Sequence, residues 1–417
     1  MKPDAAHDSP LARRLGTFDA AVIGVASMVG AGVFSAIGPA AEAAGSWLVL
    51  GLALAAVVAY CNAVASAQLA AQYPLSGGTY VYGRERLGHW WGFAAGWCFV
   101  TGKTASCAAM ALTFGAYVAP GSKVAQRLLG VLAVVALTAV TLRGIERTAR
   151  LTRWLVAVSV GVLLLTVAVL LTSDARDTAR LTVGEPGLYG VLQAAGLLFF
   201  AFAGYARIAT LAEEVRDPTR TIPRAIVTAL AAVLVLYLAV DVSALLVAGP
   251  DALAESSAPL RTALELAGAD WAKPVVTVGA VVASLGALLA LLAGVARTAL
   301  AMGRNRDLPA RLALVHPAHA VPHVAQVAIA ALVVLLVATI DLRGMIGFSS
   351  FGVLLYYAVA NASAWTQDRE ARRWPRALQV LGLVGCLAFV VTLPPASVVA
   401  GALVLAAGCL GRLLLRS

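Results

Sequence analysis

Long stretches of this chain run without a single charged residue, among them 20–41, 43–83, 154–173, 186–206, 274–296, 344–367 and 377–411. A helix needs about 20 mostly apolar residues to cross the hydrocarbon of a bilayer. In lipid each backbone N–H and C=O must be satisfied within the protein, so such runs can only be spanning helices or pairs of them. Composition agrees: 61% of the 417 residues are hydrophobic and 12% charged, about half the charge of a soluble domain. That shortage excludes soluble, disordered, collagen-like, disulfide-stapled and nucleic-acid-binding classes, each of which needs a feature missing here.

The pattern predicts an all-α polytopic membrane protein with twelve transmembrane helices, near 17–41, 46–73, 88–119, 124–142, 151–172, 188–214, 223–248, 272–302, 321–340, 343–364, 375–393 and 395–412. Pro394 and Pro395 divide the last two. Of 31 Lys and Arg, 21 fall in one set of alternate loops and seven in the other. By the positive-inside rule both termini are then cytoplasmic and the chain is a multi-pass protein of the cytoplasmic membrane. The net charge of +10 reflects this asymmetry and the lipid bilayer's anionic inner leaflet, and no nucleic acid is expected.

A polar N-terminal stretch followed by an apolar segment that leads directly into a longer helical array suggests no cleavable signal peptide. Cys61, Cys98, Cys107, Cys386 and Cys409 fall in spans without a CxxC, which points to packing rather than redox or metal chemistry. His316, His319 and His323 share one loop but have no acidic or Cys companion, so no metal and no cofactor are expected. HExxH, a nucleophile elbow and a phosphate-binding loop are all absent, which excludes the common enzyme classes.

Two spans carry mid-membrane interruptions. In the first, Gly30, Ala31 and Gly32 sit halfway through VIGVASMVGAGVFSAIGPA. A helix restarting there would aim free N–H groups at an anion. Taken alone, close packing of small residues explains such a cluster as well. Span six repeats the feature in GLLFFAFAGYARIATLAEE, at Phe200, Ala201, Phe202, Ala203 and Gly204. Interruptions five spans apart point to an inverted repeat of five plus five helices whose broken members meet at a midplane site. Amides there would take a carboxylate, and carbonyls an ammonium.

The motifs SMVGAGVFSAIG, YPLSGGTYVYGRERLGHWWGFAAGW, FFAFAGYARIATLAEEVRDPTRTIPRAI and ARTALAMGRNRDLPARLALVHP resemble, in order, the amino acid-polyamine-organocation transporter superfamily, the amino acid permeases. The resemblance implies alternating access by a five-plus-five core, residues 17–172 and 188–364, after a cytoplasmic segment 1–16 and before two extra helices in 375–417. It places the carboxylate site on Gly30, Ala31 and Gly32. The amine site falls on carbonyls near Met28 and Phe200 to Ala203, an aromatic gate on Phe200 and a distal pocket position on Leu289.

Some members carry a lysine in span five that replaces a bound sodium ion; that position matches Ser159. An acidic position of cationic carriers in span three matches Gly102, and another in span six matches Ala206. Ser284 is a lone hydroxyl near the sodium region of span eight. Conversely, Lys103 and Arg207 lie within spans, where a charge costs at least about 2.5 kcal/mol and usually faces a cavity. Lys103 is expected either to replace the span-five lysine as the group that couples to H+ or to face the solute side chain. For Arg207 a structurally paired cation is expected, and for Arg297 a headgroup contact. Asp19 is expected to cap span one and Asp241 to face water near the outer end of span seven.

The sequence thus predicts a secondary active transporter of an amino acid, a small or apolar neutral one because no acid matches the cationic pocket positions, with an acidic solute paired with Lys103 as a third reading. A cationic amino acid or polyamine exchanger is the alternative, and the coupling ion is H+ or Na+. A channel is the remaining class, and interrupted helices around a closed midplane site fit it less well.

Overall fold

The computed structural model describes residues 16–73, 77–144, 149–182, 187–205, 208, 215 and 217–416. Among them all regular elements are helical. In chain order these are α1 (Thr17–Met28), α2 (Ala31–Ser35), α3 (Ile37–Ala44), α4 (Leu48–Gln72), α5 (Thr79–Leu87), α6 (His89–Val118), α7 (Lys123–Leu142) and α8 (Ala149–Thr172). They continue as α9 (Leu188–Phe202), α10 (Pro218–Glu255), α11 (Pro259–Leu266), α12 (Lys273–Arg304), α13 (His323–Thr339), α14 (Leu342–Trp365), α15 (Arg376–Thr392) and α16 (Pro395–Arg416).

Among the described residues eight helical segments are long and apolar enough to cross a membrane: Thr17–Ser35, Ile37–Gln72, Lys123–Leu142, Leu151–Thr172, Arg220–Glu255, Asp270–Arg304, Leu342–Trp365 and Pro395–Leu414. The protein is therefore a polytopic integral membrane protein. Three shorter apolar helices, α9, α13 and α15, accompany them. At 15 residues, α9 is about 22 Å long, short of the roughly 30 Å hydrocarbon layer. It is short because it stops at the interruption read in span six.

The core forms around α6, which packs most extensively on α14 and α12, while α1 lies along α10 and α4 along α9. Small residues set these distances. Gly102 of α6 meets Gly352 of α14 so closely that a Cβ on Gly102 would stand 3.1 Å from the Gly352 Cα. The lipid-facing surface lies elsewhere: Leu128, Leu132 and Val135 of α7, and Leu403 and Leu410 of α16, are exposed.

At the end of the bundle that carries the cationic loops, two helices, α5 and α16, converge on one buried carboxylate. Asp307, just beyond α12, accepts from Arg412 Nε of α16 at 2.9 Å, from Arg84 Nη1 of α5 at 2.9 Å and from the Tyr80 hydroxyl at 2.7 Å. Arg412, itself buried, lies 4.4 Å and 4.7 Å over the rings of Trp90 and Phe93. Burial, and next the Asp307 carboxylate, push the Tyr80 hydroxyl up to about 12, so it stays a donor at ordinary pH. A charge buried in this way needs its partners, and removing one member of a buried pair costs about 3–5 kcal/mol.

Asp307→Asn is therefore expected to lower the midpoint of thermal unfolding in detergent markedly. Asp368→Asn, which removes an 82% exposed partner of Arg86, should leave it unchanged. Equal midpoints for the two variants would show that the buried cluster is not what ties these segments together.

Candidate functional site

α1 stops at Met28 without a proline to stop it. Val29 adopts φ −72° and ψ 83°, and Gly30 adopts φ −128° and ψ −149°, before α2 restarts the helix at Ala31. Gly30 N–H turns back to the Met28 carbonyl at 2.8 Å. α9 ends in the same manner: Gly204 N–H turns back to the Phe202 carbonyl at 2.7 Å. Both expected interruptions are thus real breaks in the helical ladder.

The two breaks interlock. A Cβ on Gly32 would lie 2.5 Å from Ala201 Cα, and one on Gly204 would lie 1.9 Å from the Ser27 carbonyl oxygen. In each case the obstacle is backbone, so only glycine allows the approach. α12 closes the third side, with Ala287 Cβ 3.3 Å from where a Gly30 side chain would begin.

Opened carbonyls are bonded by side chains from neighbouring helices. The Tyr237 hydroxyl of α10 lies 2.8 Å from the Met28 oxygen and 3.2 Å from the Ala201 oxygen, bridging the two breaks. Lys103 Nζ of α6 donates to the Ala203 oxygen at 3.3 Å. On the far side of the first break the Tyr117 hydroxyl donates to Phe34 at 2.7 Å, and the Ser35 hydroxyl to Ala31 at 2.8 Å. The leading N–H groups of α2 have no carbonyl one turn back within their own helix. Chemically the place offers amide donors from one break, carbonyl acceptors from the other, and an ammonium group held between α6 and α9.

Of the residues singled out in the sequence, Met28, Gly30, Ala31, Gly32, Ala201, Ala203, Gly204 and Lys103 come together here. Phe200 is buried beside them, and Phe202 packs on Tyr237 with ring centroids 5.3 Å apart. Gly102 is turned toward Gly352 and serves the α6–α14 crossing. The α12 residue that reaches the break is Ala287; Leu289, two residues on, is rotated about 200° around the helix. Ser159 is buried, and its hydroxyl donates to Leu155 in its own helix at 2.8 Å. Ser284, one turn before Ala287, is buried with an unbonded Oγ. Ala206 and Arg207 lie outside the described residues.

Asp19 meets its expectation at the start of α1, accepting from Gly16 N–H and pairing with Arg153 at 3.1 Å. Arg297 is exposed. Asp241 does not meet its expectation: it is only 3% exposed, and its Oδ2 has no partner. The cause is the length of α10, which runs on to Glu255 through a kink at Gly249 and leaves Asp241 well inside the helix. His316 stacks on His319 at 4.9 Å, and among the described residues no cluster suited to a metal ion occurs.

Residues 15–407 match the amino acid permease family. This chain belongs to that family. An uncharacterized transporter of Mycobacterium tuberculosis is 59% identical over 95% of this chain and 90% of the relative. The branched-chain amino acid permease BcaP of Bacillus subtilis is 26% identical over 90% of this chain and 85% of its own length. A cationic amino acid transporter of Arabidopsis thaliana, number 7 and chloroplastic, is 28% identical over 86% and 66%. These are transporters, and the permease is not an enzyme.

Sequence reasoning missed Tyr237 and Ala287. Tyr237 and Asp241 are one turn apart in an otherwise apolar span, and that i,i+4 polar pair was the available signal. Nothing distinguishes Ala287 among the small residues of α12.

Gly204→Ala is expected to force the α1 backbone aside and destabilise the permease by about 1–3 kcal/mol. Gly161→Ala, where nothing lies within 4 Å, should be neutral or slightly stabilising. Thermal unfolding of the two variants in detergent checks the contrast, and a wild-type midpoint for Gly204→Ala would refute the interlock.

Proposed function

We propose that this permease is a secondary active transporter that carries a neutral amino acid across the cytoplasmic membrane by alternating access. The observation that supports this best is the pair of facing helix breaks. α2 offers leading amides for a carboxylate, around Gly30, Ala31 and Gly32. Carbonyls at Met28 and from Phe200 to Ala203 are of the kind an ammonium seeks. Amides of one break and carbonyls of the other, the latter held in this state by Tyr237 and Lys103, suit the two poles of a zwitterion.

In this reading α6, α9, α13 and α15 also cross, giving twelve spans with both termini cytoplasmic. Residues 17–172 and 188–364 form the two inverted repeats, preceded by 1–16 and followed by the pair of helices in 375–417. Phe200 covers the solute, and Gly102 lets α6 approach α14 so that Lys103 reaches the break. Gly204 keeps the two breaks in contact.

A neutral solute is favoured because the matched acidic positions are Gly102 and Ala206, and an ammonium group, Lys103, already stands at the break. The branched-chain permease among the relatives agrees with this. The cationic transporter among them favours the alternative, a cationic amino acid or polyamine exchanger, for which Asp241 is a buried carboxylate one turn from Tyr237.

Lys103 is the coupling group in this scheme. It exchanges a proton with water when the cavity opens and regains the Ala203 carbonyl when it closes. Ser159, whose hydroxyl is bonded within its own helix, is left as a packing residue at the position that the resemblance matches to a lysine of some family members.

Uptake into proteoliposomes with an inward proton gradient tests both parts. Unlabelled leucine or alanine should suppress labelled leucine uptake, and arginine or glutamate should not. Lys103→Met should abolish accumulation driven by the proton gradient while leaving leucine exchange measurable. Inhibition by arginine alone would establish the alternative; proton-driven uptake unchanged in Lys103→Met, or a strict need for sodium, would remove the lysine from coupling.

A further inference from the structure

Behind the second helix break, three helices bring amide side chains together inside the bundle. Asn62 and Gln68 of α4, Asn361 of α14, Gln367 just after α14, and Gln379 of α15 are all at most 1% exposed. Asn361 Nδ2 donates to Asn62 Oδ1 at 2.6 Å and to the Tyr357 carbonyl at 2.9 Å. Gln367 Nε2 donates to Gln72 Oε1 at 2.6 Å. The Cys386 thiol, on α15, donates to Asn62 Oδ1 at 3.4 Å. Gly382, between Gln379 and Cys386, faces Asn361 so closely that a Cβ would meet its Oδ1 at 2.4 Å.

Amides across a helix interface act as glue when their groups are matched. Here they are not. Asn62 Nδ2, Gln68 Nε2 and both amide atoms of Gln379 have no hydrogen-bond partner, and neither do Asn361 Oδ1 and Gln367 Oε1. Each such buried group is destabilising if left unbonded. Rotating any one amide exchanges its donor and acceptor without removing either.

The unmatched atoms include donors and acceptors in equal measure. A cation would satisfy only the oxygens and would repel the N–H groups. Water satisfies both and needs only two to four polar partners per molecule.

We propose that this seam between α4, α14 and α15 is a buried water-binding site, a file running from the middle of the bundle to the end at which Gln72 and Gln367 lie. The ten residues from Asn62 to Gln72 give it a length of about 15 Å. Its inner end adjoins the second helix break: Tyr205, buried just beyond Phe202, packs at a tilt of 35° against Tyr357 with ring centroids 5.1 Å apart. The Tyr205 hydroxyl faces Asn62 and Tyr357 without a bond of normal geometry to either. The seam thereby brings water within one turn of the broken span by a route separate from the facing breaks. This inference does not rest on the transported solute or on the coupling ion.

X-ray radiolysis with mass spectrometry tests it on the full chain in lipid nanodiscs, because hydroxyl radicals form from bound water and mark the nearest side chains. Cys386 and Cys98 are both buried thiols, Cys386 the more deeply at 0% against 4%. Cys386 is expected to be oxidised at least tenfold faster than Cys98. Asn361→Leu, or Gln379→Leu should the first variant not fold, is expected to bring the Cys386 rate down to that of Cys98. Equal rates for the two thiols in the wild type, or an unchanged Cys386 rate in a folded variant, would overturn the proposal.

Discussion

Inside a bilayer a backbone N–H or C=O that leaves its helix must find another partner within the protein, and this requirement organises the whole molecule. Where α1 stops at Met28 and α9 at Phe202, the ladder opens in the most apolar part of the structure. Neither break could stand alone in lipid. Each is tolerated because it lies against the other and because α6 and α10 supply side chains for the freed oxygens.

Those side chains give the place its character. Tyr237 spans the Met28 and Ala201 oxygens, so the ends of α1 and α9 are joined through one hydroxyl. Lys103 occupies the Ala203 oxygen with an ammonium group. In the proposed scheme a solute ammonium arriving at the same carbonyl would meet that lysine, and the two positive charges would compete for one acceptor. Competition of this kind would tie a change at Lys103 to occupancy of the site, which a lysine packed elsewhere in α6 could not do.

Much of this was legible in the sequence because the bilayer writes its demands in simple terms. Uncharged runs of the right length located the helices, and the glycine clusters at Gly30–Gly32 and Gly204 located both breaks. What stayed hidden depends on rotation about a helix axis. Gly102 and Lys103 are adjacent in sequence, yet one faces α14 and the other the break. Leu289 and Ala287 differ in the same way on α12. The burial of Asp241 was hidden because α10 continues past the point at which its apolar run seemed to end.

Central to the proposed transport is that both charged poles of a small zwitterion are held by backbone groups that the two breaks expose. Binding of leucine, leucinamide and N-acetylleucine to the purified permease, followed by calorimetry, tests it directly. Leucine should bind, and masking either pole should weaken binding at least tenfold, about 1.4 kcal/mol for each. Leucinamide or N-acetylleucine binding as tightly as leucine would contradict it.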